Sequence, residues 1–245
     1  MSKICNKCGN ENPENLTFCE NCGSLLLNAQ ESKKDSKKEI KRESFVLKDD
    51  FERIFRDYLP QRERIGTVAA PIAYFIKEDV LADFSYLIDG QVPCTGTSAT
   101  VGVGNLAHCP QLFFWGDYGC NLELMFMFIF KADMSGVYLS MRYSGRLDSD
   151  ESLKIKRDVY QYCIKEHFPE FEFLESIDLK SDTAFSISYE KSTIISKFYP
   201  KDNIPFDEVL IKDMNDFIEC GKLLCKLKPL NDEELVEKVM KKDFR

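Results

Sequence analysis

The sequence lacks a segment suited to spanning a membrane or directing secretion. Its longest apolar run, residues 124–130, falls far short of the roughly 18 residues that a membrane-spanning helix needs. The N-terminal residues MSKICNKCGN contain no apolar core of the kind that a signal peptide carries. We therefore expect a cytoplasmic protein, whose ten cysteines are metal ligands or buried reduced thiols rather than disulfides.

Positive charge is also scarce. Lysine and arginine number 33 against 41 aspartate and glutamate residues, which leaves a formal net charge of −8. Non-specific coating of DNA requires net positive charge, so this composition excludes that mode of binding and requires a local site for any anionic ligand. With 44% hydrophobic and 30% charged residues, the chain has the composition of a soluble globular protein.

Motifs of several enzyme classes are missing as well. The sequence contains no GxxxxGK[ST] phosphate loop, no HExxH metal-binding pair and no GxSxG nucleophile turn. It also has no convincing PD…ExK cluster of a nuclease. A hydrolase or nuclease is therefore the function class that the sequence favours least, and we expect a protein that is not an enzyme.

The composition divides the chain into three segments. Residues 1–28 are rich in cysteine, and residues 29–43 (AQESKKDSKKEIKRE) contain six basic and four acidic residues and almost nothing apolar. We interpret residues 29–43 as a solvated linker, whose acidic residues weaken any attraction of its lysines to phosphate. Residues 44–245 hold most of the apolar mass and a net charge of −9, since the first two segments carry −1 and +2 of the total.

The residue pattern of 44–245 predicts one α+β domain, with a mixed β-sheet and flanking helices. The segment 121–130 is apolar on both faces of a strand apart from Glu123, which indicates a central strand buried on both sides. Helices are predicted over residues 45–58, 66–88, 150–167, 206–227 and 231–243. Strands are predicted over residues 111–115, 121–130, 136–142, 184–189 and 193–199.

Two CxxC pairs near the N-terminus form the strongest local motif. Cys5 and Cys8 form the first pair, and Cys19 and Cys22 form the second. A glycine follows the second cysteine of each pair, and ten residues separate the pairs. Four thiolates satisfy tetrahedral Zn²⁺, and a two-residue gap lets both sulfurs of a pair face one ion. All coordination positions are then filled by protein, so we predict a structural Zn²⁺ site that stabilises a module too short for its own core. A redox dithiol pair is the alternative interpretation.

The spacing of these cysteines resembles the short zinc-ribbon family, with Asn12, Pro13 and Phe18 at positions that such modules usually share. The resemblance covers residues 1–28. It implies a structural module that contacts a partner protein, and it does not by itself imply binding of nucleic acid.

Three sequence blocks follow one another in residues 44–245. They read GVGNLAHCPQLFFW at 102–115, FKADMSGVYLSM at 130–141 and YEKSTIISKFYPKDNIPFDEVL at 189–210. In this order and spacing they resemble the N-terminal domain family of McrB-type restriction proteins, over about residues 45–227. The resemblance implies recognition of modified cytosine in duplex DNA, with the base extruded from the stack into a pocket at a cost on the order of a few kcal/mol.

The same resemblance predicts which residues contact DNA. It assigns this role to the loop of Gly102, Val103, Gly104 and Asn105, where two glycines allow close backbone approach and the Asn105 amide bonds backbone groups or a base edge. Gln111, the residue after Pro110, is the fifth predicted contact.

Three positions depart from the pattern of members that extrude a base. Val103 and Gln111 stand where an aromatic residue and a tryptophan are frequent, and Leu124 stands where a pocket aromatic is expected. Trp115 or Tyr118 is the candidate replacement for the missing rings.

Two hypotheses on function therefore stay open. The first is a non-enzymatic DNA-recognition protein of a restriction or defence system, whose ribbon contacts a partner protein. The second is a protein-interaction adaptor whose McrB-like domain has lost DNA binding, which the net charge of −9 on that domain favours.

Some other residues admit a catalytic or metal-binding interpretation. His108 and Cys109 form a conceivable Cys/His nucleophile, but their spacing follows the family block, which favours a structural role. Cys163 and His167 share one face of a predicted helix, yet two ligands alone do not make a stable metal site. Packing roles are expected for Cys94, Cys109, Cys120, Phe126, Phe128 and Phe130.

Overall fold

A computed structural model describes residues 2–4, 10–13, 46–116, 124–143, 149–226 and 232–241. The chain divides into two units, residues 1–43 and 44–245. Within the described ranges, no helix combines the length and the apolar character that crossing a bilayer demands.

The N-terminal unit contains a small antiparallel pair of strands. Strand β1 (Ser2–Ile4) pairs with β2 (Glu11–Pro13), and Ile4 lies opposite Glu11. Cys5 and Cys8 lie between these two strands in the sequence. The four predicted zinc ligands themselves lie outside the described residues.

A five-stranded antiparallel sheet forms the centre of residues 44–245. Its strands are β3 (Gly96–Thr100), β4 (Gln111–Trp115), β5 (Leu124–Phe130), β6 (Gly136–Tyr143) and β7 (Thr193–Pro200). Each strand lies beside the one before it in the chain, so β5 is central, as the sequence predicts. The α+β class is confirmed, and the four neighbouring pairs are all antiparallel, which refines the expected mixed sheet.

Helices flank the sheet, and most coincide with the predicted ones. They are α1 (Val46–Arg64), α2 (Pro71–Tyr74), α3 (Leu81–Ile88), α4 (Asp150–His167), α5 (Ala184–Ser192), α6 (Asp207–Cys225) and α7 (Asp232–Met240). A π-helical turn, Phe75–Val80, joins α2 to α3. Pro71 occupies the first turn of α2, where a backbone N–H would have had no partner within the helix.

The main hydrophobic core lies on one face of the sheet. Phe126, Phe128 and Phe130 are alternate residues of β5 and are fully buried on this face. Phe51 of α1 packs edge-on against Phe128 and Phe130, with ring centroids 5.3 and 5.1 Å apart. The three phenylalanines are therefore core residues, as predicted, rather than an exposed platform for bases.

The opposite face of the sheet carries a smaller apolar cluster. Met127 and Ile129 of β5 belong to it, together with Leu179 and Tyr189 from the segment that leads into α5 and from α5 itself. The Leu179 carbonyl accepts a hydrogen bond of 2.9 Å from the N–H of Ala132 in the β5–β6 turn. These contacts hold α5 against the sheet.

The strand predicted over residues 184–189 is wrong, because this segment is helix α5. Thr183 caps the helix, and its side-chain oxygen accepts a hydrogen bond of 3.2 Å from the Ser186 N–H. Phe185, Ile187 and Tyr189 alternate like the residues of a strand, but Phe185 and Ile187 are exposed. The sequence also gave no indication of β3, whose residues GTSAT have no apolar alternation.

A buried carboxylate connects the beginning of the domain to its last third. Asp207 of α6 is 1% exposed and accepts hydrogen bonds from the N–H groups of Val46 (2.9 Å) and Leu47 (3.2 Å). These donors belong to the first turn of α1, where a helix has no acceptors of its own.

We expect Asp207→Ala to lower the free energy of unfolding by about 2 kcal/mol, because two N–H groups lose their acceptor. Urea denaturation measures the change. Glu208→Ala is the matched control, since Glu208 is the exposed next residue of the same helix. Equal losses in the two variants would contradict this role of Asp207.

Asp50 of α1 is a second buried carboxyl group, and its Oδ2 is the buried side-chain atom without a hydrogen-bond partner in the described part of the chain. The residue is 8% exposed. Burial raises the pKa of Asp50 to about 7, and the negative charges of Asp83, Asp79 and Asp49 act in the same direction. The neutral acid is therefore the form that the fold favours.

This shift makes stability depend on pH. The unfolded chain ionises Asp50 near pH 4, whereas the folded chain keeps the proton up to about pH 7, so stability falls as the pH rises across this window. We expect Asp50→Asn to raise the free energy of unfolding at pH 8 by on the order of 2 kcal/mol, and to change it little at pH 4. Urea denaturation of Asp50→Asn and of Asp49→Asn, an exposed neighbour, tests this; a similar gain in both would contradict it.

Candidate functional site

The Gly102–Asn105 loop has a backbone conformation that depends on its glycines. Gly102 and Gly104 have φ angles of 111° and 76°, which L-residues rarely adopt. A Cβ atom on Gly102 would clash with the carbonyl oxygen of Asn105 and lie 2.7 Å from the backbone nitrogen of Ala107. The close packing of the loop on itself therefore requires glycine at position 102.

Backbone hydrogen bonds hold this loop in place on both sides. The Gly104 carbonyl accepts from the N–H of Val68 (2.9 Å), and the Leu106 N–H donates to the carbonyl of Gly66 (2.8 Å). Val103, at the tip, is fully exposed. A firmly held loop thus presents an apolar side chain to solvent.

A cavity of about 340 Å³ lies between this loop, the start of β4 and the first turns of α5. We call it the loop cavity. No carboxylate, lysine or arginine is among the described residues that line it. Its wall includes Val103, Asn105, Gln111, Phe185, Ser186 and Tyr189.

The residues predicted to contact DNA meet at this cavity. Gly102, Val103, Asn105 and Gln111 all line it, and Gly104 lies between two of them in the loop. Contact of these residues with DNA stays a prediction. The fold brings this loop and the first residue of β4 together on one concave surface.

Gln111 and Tyr189 form a buried polar pair in the cavity wall. They are 3% and 5% exposed, and the Tyr189 hydroxyl donates a hydrogen bond of 3.2 Å to Oε1 of Gln111. The guanidinium of Arg142 lies over the Tyr189 ring, 4.1 Å from its centroid, and its Nε donates to the Ser192 hydroxyl at 2.9 Å. The ring is therefore held by contacts to β4, β6 and its own helix.

Phe185 is an aromatic side chain at this cavity that the sequence interpretation missed. It is 68% exposed, and its ring centroid lies 5.2 Å from that of Tyr189. The sequence Thr183-Ala-Phe-Ser186 is typical of the capped start of a helix and could have indicated α5. In a helix, Phe185 and Tyr189 are four residues apart and lie on the same side.

The aromatic residues proposed as replacements lie elsewhere. Trp115 is at the other end of β4, packs over Gly96 and does not line the loop cavity. Leu124 begins β5 and also lies outside the cavity wall. Tyr118 lies outside the described residues. Phe185 and Tyr189 are thus the phenylalanine and tyrosine rings that line this site among the described residues.

The geometry around Cys109 does not favour a nucleophile. Burial raises the pKa of the Cys109 thiol to about 11, so the reactive thiolate is suppressed at neutral pH. Its sulfur lies 3.7 Å from the Ser186 hydroxyl and 3.9 Å from the Leu179 carbonyl oxygen. Nδ1 of His108 instead lies 3.4 Å from the Ser181 hydroxyl. The structural role predicted for Cys109 fits this arrangement.

A wider cleft of about 680 Å³ adjoins the loop cavity and shares His108 with it. We call it the outer cleft. Arg62 and Lys180 line it, as do Asp133 and Asp182, so its charges are mixed. Arg62 donates a hydrogen bond of 3.0 Å to the His108 carbonyl and forms no ion pair with a carboxylate among the described residues.

The remaining cysteine predictions have different outcomes. Burial raises the pKa of Cys163 to about 12, and Nδ1 of His167 lies 2.9 Å from the Cys163 carbonyl oxygen, so the two side chains do not converge on a metal. The described residues contain no group of three potential metal ligands.

The expectation of reduced thiols holds for four described cysteines, which are Cys94, Cys109, Cys163 and Cys220. It is wrong for Cys225, which is disulfide-bonded.

Comparison with known families gives two matches. The family model described as the MrcB-like, N-terminal domain matches residues 53–224, and a zinc-ribbon domain model matches residues 4–26. The predicted order of the two modules is confirmed. Among curated proteins and solved structures, none matches the chain.

Proposed function

The chain belongs to the MrcB-like N-terminal domain family, and on this premise we propose that it is a non-enzymatic DNA-recognition protein. In this proposal it reads modified cytosine in duplex DNA as part of a restriction or defence system. The observation that carries the proposal is the loop cavity, because the loop expected to contact DNA borders a concave site with an aromatic wall.

The loop cavity has the size and chemistry that an extruded base requires. Its volume of about 340 Å³ equals about 11 water volumes of roughly 30 Å³ each, against about nine non-hydrogen atoms in a methylated cytosine base. Phe185 and Tyr189 offer flat rings for stacking, and Gln111 and Asn105 offer amides for hydrogen bonds to the base or to a substituent on it. Stacking and these hydrogen bonds offset the free energy of extrusion.

The net charge of −9 on residues 44–245 does not oppose this proposal at the site itself. The cavity wall carries no carboxylate among the residues that the structure describes. In the outer cleft, Arg62 is held by a carbonyl rather than a carboxylate, so its charge stays available for a phosphate of the DNA backbone.

Binding of duplexes that differ at one cytosine tests the proposed function. We expect fluorescence anisotropy at low salt to show tighter binding to a duplex with a modified cytosine than to the unmodified duplex. Tyr189→Ala removes the central ring of the wall and should abolish the preference. Absence of binding to every duplex at low salt would contradict the proposal.

Arg62→Ala should weaken DNA binding about equally for all sequences and modifications, because a phosphate contact carries no base information. The plot of log affinity against log salt should lose about 0.9 of its slope, as expected for one phosphate contact. Arg56→Ala is the matched control on the same helix, since Arg56 is exposed and pairs with Asp57. An unchanged slope in Arg62→Ala would exclude the contact.

The N-terminal ribbon completes the proposal. Cys5, Cys8, Cys19 and Cys22 would bind one Zn²⁺ as thiolates, and the zinc-ribbon family match over residues 4–26 supports this ligand set. A site closed by four thiolates supplies stability rather than chemistry. Its function in this proposal is contact with a partner protein.

An adaptor without DNA binding is the second candidate function. The observations that favour it are the acidic domain and the absence of an aromatic ring at Val103 and Gln111. Purification from the native host distinguishes the two. A stoichiometric protein partner without nucleic acid would favour the adaptor.

A further inference from the structure

In the buried part of the loop cavity wall, the Gln111 amide presents hydrogen-bond donors to the cavity. Oε1 of Gln111 already accepts the hydrogen bond from Tyr189, so the acceptor side of this amide is occupied. Nε2 of Gln111 has no hydrogen-bond partner among the described residues, and the residue lines the cavity at 3% exposure. The amide therefore offers its two N–H donors to whatever enters.

The hydroxyl of Ser186 adds a second polar group to the same wall. Ser186 is buried, and its Oγ lies 2.8 Å from Oγ1 of Thr183, which also caps α5. Both side chains line the cavity. An oxygen atom on the ligand would thus meet hydrogen-bonding groups from β4 and from α5.

A ligand methyl group placed against the Gln111 amide would be poorly matched to its N–H donors. Solvent satisfies the N–H groups of Gln111 while the cavity is open, and an apolar ligand that expels this solvent leaves them unpaired. A site built to hydrogen-bond one substituent rejects the analogue that lacks it far more strongly than an apolar pocket rejects an extra polar group.

We infer that the loop cavity selects a pyrimidine whose 5-substituent carries oxygen, as a hydroxymethyl or formyl group does, over the 5-methyl base. This inference rests on the proposed function and names its substrate class. Gln111 is the specificity-determining residue and donates its N–H groups to the substituent. Tyr189 and Arg142 are positioning residues, because Tyr189 fixes the orientation of the Gln111 amide and Arg142 fixes the Tyr189 ring.

The test compares duplexes that are identical except for one pyrimidine: cytosine, 5-methylcytosine, 5-hydroxymethylcytosine or 5-formylcytosine. The full-length protein should bind the hydroxymethyl and formyl duplexes roughly tenfold more tightly than the methyl duplex. Gln111→Leu should reduce this ratio to about one or invert it, because an apolar side chain of similar size replaces the donor. Gln111→Met provides the same test if the leucine variant folds poorly.

Tyr189→Phe is the matched control for orientation, since it keeps the ring and removes only the hydroxyl. It should lower the preference for oxygen, because the Gln111 amide loses the hydrogen bond that orients it. Equal or tighter binding of the methyl duplex by the unaltered protein would overturn the inference and leave the proposed function standing. A ratio that survives Gln111→Leu would also overturn it. Absence of binding to all four duplexes would overturn the proposed function and the inference together.

Discussion

Gly102→Ala is expected to weaken DNA binding by roughly 30-fold, equivalent to about 2 kcal/mol. The φ angle of 111° is unfavourable for alanine, and the new Cβ would clash with the Asn105 carbonyl oxygen. Since that atom belongs to the backbone, the clash is relieved only by moving the loop. Movement of the loop changes the rim of the loop cavity, where Val103 and Asn105 lie.

Gly104→Ala is the matched control for this variant. Gly104 also has a positive φ angle, but no atom lies within 4 Å of a Cβ built on it. The cost is then the conformational one alone, about 1–2 kcal/mol of stability, and the loop keeps its position. Affinity should stay within about threefold of the unaltered protein. Equal losses of affinity in the two variants would mean that the position of the loop does not control binding.

Removal of zinc is expected to unfold the N-terminal unit and leave residues 44–245 folded. Structural zinc in short modules contributes about 10–16 kcal/mol at neutral pH, far more than a segment of this length gains from packing. Residues 44–245 have their own core around β5 and do not depend on the metal for it. A chelator titration followed by two-dimensional NMR should show loss of the β1–β2 resonances alone.

Variants of the ligands provide the complementary measurement. The intact protein should release about one zinc ion per chain in a colorimetric assay, the stoichiometry of a four-thiolate site. Replacing Cys8 and Cys22 by serine should abolish retention of zinc. Cys94→Ser is the control, because Cys94 is a free thiol of the large unit. Retention of zinc by the double variant would disprove the assigned ligands.

Much of the fold could be predicted from the sequence where periodicity was strong. The strand predicted over 121–130 is present at 124–130, and the helix at 150–167 coincides with its prediction, because a run of apolar residues or a helical stripe extends along each segment. The α5 segment was misassigned because Phe185, Ile187 and Tyr189 alternate along it. The segment is nevertheless a helix, in which Phe185 and Ile187 are exposed and Tyr189 is buried.

Only the part of the site formed by neighbouring residues in the sequence could be predicted. The GxGN sequence indicated a loop in which glycine matters, and the φ angle of Gly102 explains why. Gln111 was identified as a departure from the family pattern. Its hydrogen bond to Tyr189, 78 residues further along the chain, depends on a helix that the sequence interpretation took for a strand. The aromatic wall and the polarity of the Gln111 amide therefore became visible only in three dimensions.

The bond between Asp207 and the start of α1 also has a consequence for biosynthesis. The two partners are 161 residues apart in the chain. A ribosome that adds about 5–20 residues per second makes Asp207 roughly 10–30 s after Val46. During this delay the first turn of α1 lacks the Asp207 carboxylate, and its N–H groups donate to water instead. The domain therefore completes its folding only after α6 has been synthesised.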